Sequence, residues 1–222
     1  ILEKVRQTNM NAVFVQVRPC TDAFYPSRFA PWSAFLTGTQ GKDPGYDPLA
    51  FMVQEAHRRN LQLHAWFNPY RVSLKSQLSE LSPNNPARLH PEWVVSYGGK
   101  LYFNPGLPMV RELLEASILE VVKAYEIDGV HFDDYFYPYP DGSQPYPDAA
   151  TYQQYGAATF PNVADWRRDN VNRLVSSIHA KIKAVNPAIQ FGISPFGVWR
   201  NKSVDPTGSD TRAGVTNYDS LY

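Results

Sequence analysis

The segment His-Phe-Asp-Asp-Tyr at 131–135 places two adjacent carboxylates, Asp133 and Asp134, at the end of an apolar run. Paired acids are the working groups of O-glycoside cleavage. One carboxyl group protonates the leaving oxygen and the other acts as nucleophile or base, about 5–5.5 Å away for retention and about 6.5–9.5 Å for inversion. Adjacent residues of a strand point to opposite faces, so Asp133 shares a face with His131, while Asp134 points outward or into the following loop. The second acid is left open between Asp134, if the strand end twists, Asp22 in an earlier loop, and a residue on strands outside this chain. The segment IQFGISPFG at 189–197 carries no acid. Asp128, before Gly129, reads as a turn residue.

Other chemistries lack their patterns. The histidines at 57, 64, 90, 131 and 179 are scattered. There is no H-x(3–5)-H pair and no CxxC, so no metal site is expected. A metal-dependent polysaccharide deacetylase, which an Asp-Asp pair brings to mind, needs two nearby histidine ligands that this spacing does not supply. No G-x-S-x-G elbow announces a serine hydrolase. No Gly-rich phosphate turn appears either, and no cofactor is called for.

Lys and Arg number 21, as do Asp and Glu, for a formal net charge of zero. That balance argues against nucleic acid as a partner and offers no polybasic segment for an anionic membrane surface. No apolar run reaches the roughly 18 residues of a membrane span. Aromatic residues make up 14% of the chain, and flat rings lining a groove suit sugars. The single Cys20 forbids an internal disulfide and leaves the redox compartment open. Ile1 opens directly into a helix-like pattern, which suggests a processed or trimmed start.

These residues must be held by a strand and helix alternation. Strands are expected at 11–18, 61–67, 127–134 and 189–195, and helices at 1–9, 47–59, 107–126 and 165–185. Asp47 and Asp165 read as helix caps, with Pro48 at a first helical position. A small hairpin fits WVVSYGGKLYF at 93–103. The loops after the strands are long, and in a barrel those loops build the active face. The expected fold is a (β/α)8 TIM-type barrel, here incomplete, with 1–222 as one domain lacking the first strand and the last ones. The missing strands would be needed for closure, because an open parallel sheet leaves unpaired edges.

Strand parity places Val13, Val15 and Val17 opposite Phe14, Gln16 and Arg18. It places Leu63, Ala65 and Phe67 opposite His64, Trp66 and Asn68, and Val130 and Phe132 opposite His131 and Asp133. A buried parallel strand should be apolar on both faces. One polar face on every strand, toward the C-terminal ends, predicts a wet pocket in the barrel mouth. Arg18 could pair with Asp22 or lower the pKa of Asp133. Trp66, Tyr135, Tyr137 and Trp199 are candidates for stacking on sugar rings.

Five ordered blocks are similar to one known family: AVFVQVRPCTDAFYPS, YDPLAFMVQEAHRRNLQLHAWFNPYR, DGVHFDDYFYPYP, DWRRDNVNRLV and ISPFGVWRN. They resemble the bacterial glycosyl-hydrolase-like family ten of cell-envelope lipoproteins and secreted proteins. The resemblance covers nearly the whole chain. It implies a glycosidase-type barrel, a polysaccharide or oligosaccharide substrate and, for some members, action on peptidoglycan strands. It implies an envelope, periplasmic or extracellular location, with lipid anchoring before processing as one route. It also implies Asp133 and Asp134 as the acidic site, with Gln16, Arg18, Asp22, His64, Asn68, Tyr70, Arg71 and Arg200 around the pocket. A looser likeness to the acidic strand of chitinase-type barrels fails at His131 and Tyr135, which stand where that pattern has acids. A non-catalytic glycan-binding protein on the same scaffold is the alternative to an enzyme.

Overall fold

The computed structural model describes residues 1–142, 144–195 and 206–207. In chain order the elements are α1 (Leu2–Gln7), β1 (Ala12–Arg18), α2 (Ala34–Thr37), α3 (Pro48–His57), β2 (Gln62–Phe67) and β3 (Arg71–Ser73). There follow α4 (Pro86–Leu89), β4 (Val94–Tyr97), β5 (Lys100–Phe103), α5 (Pro108–Ala124), β6 (Gly129–Phe132), α6 (Ala149–Tyr155), α7 (Val163–Val185) and β7 (Gln190–Ile193).

Strands β1, β2, β6 and β7 lie side by side in that order, all parallel. This is the sheet of an incomplete α/β barrel. Its apolar face is the core: Leu63, Ala65, Phe67, Val130 and Phe132 are all buried. It packs beneath three helices whose stripes recur at helical spacing. These are Leu49, Val53 and Ala56 of α3, Val110, Leu114, Ile118 and Val121 of α5, and Val171, Leu174, Ile178 and Ile182 of α7.

The helix starts follow local chemistry. Asp47 accepts the Ala50 amide at 3.0 Å, and Pro48 follows it as the first helical residue. For α7 the cap is Asn162 rather than Asp165. The Asn162 side chain accepts the Asp165 amide at 2.9 Å, which leaves Asp165 in the first turn, where a carboxylate favours the helix dipole. The long loop after β2 folds into an antiparallel sheet of order β3-β5-β4. The expected hairpin is its β4–β5 pair, turned by Gly98 and Gly99, which both take positive φ. Two such residues are what a tight turn matched to strand twist demands. This sheet delivers Arg71 and Tyr102 beside the C-terminal ends of the barrel strands.

Candidate functional site

The inner face of the half-cylinder is built in layers by strand register. Phe14 pairs with His64 and His64 with Gly129, while Gln16 pairs with Trp66 and Trp66 with His131. The rings touch. Phe14 lies 4.7 Å by centroids from both His64 and His131, and Trp66 meets His131 edge-on at 6.3 Å. Phe14 is 54% exposed, because nothing in the four-stranded sheet covers this side. Burial holds both imidazoles below the ordinary histidine range, and the neighbouring His64 lowers His131 further. His131 Nε2 is 3.0 Å from the Ser194 hydroxyl at the end of β7. His64 Nε2 is buried without a hydrogen-bond partner among the described residues.

Above these rings sits Asp133, half-buried just past the end of β6. Its Oδ1 accepts the Tyr135 amide at 3.0 Å. Its Oδ2 accepts Trp66 Nε1 at 3.2 Å and Asn68 Nδ2 at 3.1 Å. Burial raises its pKa above the usual carboxylate value. The Tyr135 amide, Asn68, Trp66 and the positive charge of Arg71 all pull the other way without cancelling that rise. Arg71 is itself tethered, with Nε donating to the Pro19 carbonyl at 2.9 Å and its guanidinium 5.7 Å from the centroid of the Tyr135 ring.

Asp134, one residue on, faces a different partner: it accepts the Tyr139 hydroxyl. Burial and this bond raise the Tyr139 pKa. Tyr139 in turn packs edge-on against Tyr135 at 5.0 Å, so the Asp134 side continues the aromatic lip above Arg71.

Arg18 departs from simple alternation. The β1–β2 register slips between Gln16 and Arg18, so Arg18 pairs with Phe67 and falls out of line with Phe14 and Gln16. It is 1% exposed and grips the carbonyls of Asn68 at 3.4 Å and Pro69 at 3.3 Å. The cation acting on Asp133 is therefore Arg71, from the added sheet. Asp22 is also buried, in the first loop, where Gln40 Nε2 donates to it at 3.3 Å. Tyr70 and Tyr137 are core residues at 1% exposure each. Tyr137 accepts Asn170 Nδ2 at 3.1 Å and lies under Arg167. Trp199 and Arg200 lie outside the described residues.

The structure thus gathers Trp66, Asn68, Arg71, Tyr135 and Asp133 at one point, with His64, His131 and Gln16 on the face below. Sequence parity puts Phe14 and Ser194 on this face without giving them a role, and Tyr139 is not singled out. Tyr139 carries no signal beyond its place in a Tyr-rich loop. Such a site can hold a carboxylate ionised against burial, beside rings that a sugar can rest on.

The family model described as Glycosyl hydrolase-like 10 matches residues 1–221. The chain is 59% identical over 223 residues to Glycosyl hydrolase YngK of Bacillus subtilis (strain 168), covering 100% of this chain and 44% of that protein. It is 44% identical over 230 residues to Glycosyl hydrolase DigH of Escherichia coli (strain K12), covering 100% and 52%. It therefore spans about half the length of these curated relatives. Among solved structures, alpha-L-fucosidase isoenzyme 2 from Paenibacillus thiaminolyticus superposes with a TM-score of 0.58 at 18% identity, over 86% of this chain and 28% of that one. The galactosidase domain of alpha-galactosidase-sucrose kinase, AgaSK, does so with 0.51 at 15%, over 98% and 25%. At such identities the likeness is one of fold, and it agrees with an incomplete (β/α)8 barrel. With the family model matched over residues 1–221 and relatives matched along the whole chain, this chain belongs to the glycosyl hydrolase-like 10 family.

Proposed function

We propose that this chain carries the acidic side of the active site of a glycoside hydrolase. Its substrate would be an amino-sugar glycan of the bacterial cell envelope, peptidoglycan-like strands being the best fit to the family. The observation that carries this reading is the setting of Asp133. It sits half-buried at the C-terminal end of a barrel strand, with both oxygens accepting protein donors. Three donors and a nearby guanidinium favour the ionised carboxylate, while burial keeps its basicity up. That combination suits a nucleophile or general base more than a proton donor. The neutral histidines and the Phe14 and Trp66 rings below offer a surface for an uncharged sugar ring. Asp134, engaged by Tyr139, serves the lip of the pocket in this reading.

The partner acid would come from outside the four described barrel strands, along with the strands that close the barrel on the β1 and β7 edges. An envelope or extracellular setting follows from the substrate. No described helix is long and apolar enough to cross a membrane. Among the described residues no three His, Cys, Asp or Glu groups gather to hold a metal ion. The second reading, glycan binding without cleavage, is favoured by one fact: β7 brings no acid to this face.

The test is Asp133→Asn in the full-length protein that carries this chain, assayed for new reducing ends on purified envelope glycan. We expect cleavage to fall by about a thousandfold or more, with glycan retention in a pull-down preserved. Undiminished cleavage would remove Asp133 from the mechanism. Retention with no cleavage by the unaltered protein would favour the binding reading.

A further inference from the structure

We propose that Asn68 is a positioning residue that fixes the orientation and ionisation of Asp133 through a closed ring of contacts, without itself touching the sugar. The proposal rests on the glycosidase reading above and deepens it.

Asn68 is 0% exposed, so no substrate can reach it. Its Nδ2 donates to Asp133 at 3.1 Å from Oδ2 and 3.4 Å from Oδ1. Its Oδ1 accepts the Arg71 amide at 3.0 Å. That second bond settles which end of the amide faces the acid, because an amide N–H cannot donate to an NH2 group. From Arg71 the ring continues through its guanidinium over the Tyr135 ring, and the Tyr135 amide returns to Asp133 Oδ1 at 3.0 Å. The Asn68 backbone is gripped as well. Its N–H donates to the Arg18 carbonyl at 2.9 Å, and its carbonyl accepts Arg18 Nη1 at 3.4 Å. Two arginines that sequence parity or family likeness would assign to the pocket thus both brace one buried asparagine, Arg18 at its backbone and Arg71 at its side-chain oxygen. Removing the amide leaves Asp133 with one donor fewer on a desolvated oxygen, which favours its protonated form.

The experiment compares Asn68→Ala, Asn68→Asp and the parent in the full-length protein. Two readouts are taken: the pH profile of glycan cleavage, and the titration of the Asp133 carboxyl followed by carbon NMR with labelled aspartate. For Asn68→Ala we expect kcat to fall about tenfold to a hundredfold, the size of one hydrogen bond to a charged group. KM should stay within about threefold, since no contact to substrate is lost. The acid limb of the profile and the Asp133 titration should both move to higher pH. In Asn68→Asp the introduced carboxyl repels Asp133 when ionised and can donate to it when protonated, so activity relative to the parent should recover as the pH falls. An unmoved Asp133 titration in a folded variant overturns the proposal, as does a raised KM with unchanged kcat. The titration needs no turnover. If Asp133→Asn proved fully active, Asp133 would leave the mechanism, while the coupling of Asn68 to Asp133 would still be read from the titration.

Discussion

Gly129 opens β6, a central strand paired on both sides, where glycine ordinarily weakens a sheet, and the reason is His64. A Cβ built on Gly129 would lie 2.2 Å from His64 Nδ1, 2.5 Å from Cε1 and 2.6 Å from Cγ. Ordinary contact between such atoms is about 3.5–4.0 Å, so in Gly129→Ala the ring must retreat by more than an ångström. Gly129 cannot give way, because β6 is clamped by pairing to His64 on one side and Gln190 on the other. His64 is 6% exposed and has the Phe14 ring tilted against it at 4.7 Å, so its retreat pushes Phe14 toward the open lumen. Overpacking of this kind costs about 1–3 kcal/mol. Replacing a strand glycine by alanine returns roughly 0.5–1 kcal/mol through the unfolded chain. The net expectation is a loss of about 1–2 kcal/mol, measured by denaturant unfolding. The decisive comparison is the same substitution in a His64→Ala background, where the space is free. There Gly129→Ala should be neutral or mildly stabilising. An equal loss in both backgrounds would show that the imidazole is not what excludes the side chain.

Trp166, 2% exposed, is held between two glycines, and added Cβ atoms at Gly106 and Gly156 would meet its ring at 2.3 and 2.6 Å. Alanine at either position should cost about 1–3 kcal/mol and Trp166→Ala about 3–5, read as shifts in thermal unfolding followed by circular dichroism. At the opposite end of the sheet from the site, Asp128 Oδ2 accepts the Leu63 amide at 2.8 Å and lies 2.9 Å from His57 Nε2. Asp128→Ala should lower stability by about 1–2 kcal/mol while leaving kcat on glycan unchanged, since it touches nothing near Asp133. Acidification should also destabilise the fold through the inner histidines. Burial holds His64 and His131 below their ordinary value of 6.5. The unfolded chain therefore takes up protons below about pH 6.5 where the folded chain does not. The stability they confer is complete above that pH and is lost as the pH falls through their folded values. Denaturation midpoints at pH 7.5 and 5.5 should differ less in His64→Ala/His131→Ala than in the parent, and an unchanged difference would exclude these rings as the cause.

Strand parity carried the reading of the inner face as far as the strands stay regular. Gln16, His64, Trp66 and His131 share a surface because a parallel sheet in register keeps alternate residues on one side, and no other information is needed. Arg18 lies beyond the reach of that rule. A slip of one position between Gln16 and Arg18 leaves no mark in the composition of the segment, yet it takes a guanidinium out of line with the pocket and turns it to the carbonyls behind Asn68. The tyrosines show a second limit. Tyr70, Tyr135 and Tyr137 belong to the same kind of aromatic, proline-rich loop sequence, and only packing separates half-buried Tyr135 from the two at 1% exposure. The caps are a third case: Asn162 and Asp165 are both sound cap residues, and the helix begins after the earlier one, whose side chain accepts the Asp165 amide.

What the sequence could least express is the coupling that makes Asp133 more than an acid at a strand end. Asn68 and Asp133 are 65 positions apart, and they meet because Phe67 pairs with Phe132 at the last rung between β2 and β6. One step beyond that rung, both chains leave the sheet on the same side, so an amide and a carboxylate face each other where strand pairing has ended. Arg71 arrives there because the chain turns directly from Asn68 into β3, whose register with β5 holds that turn in place. A carboxylate at a barrel rim gains its direction from the two strands on which it and its donors end. The loop that follows β2 therefore does more than shape the pocket: by fixing Arg71, it decides whether Asn68 offers Asp133 its NH2 group or its oxygen.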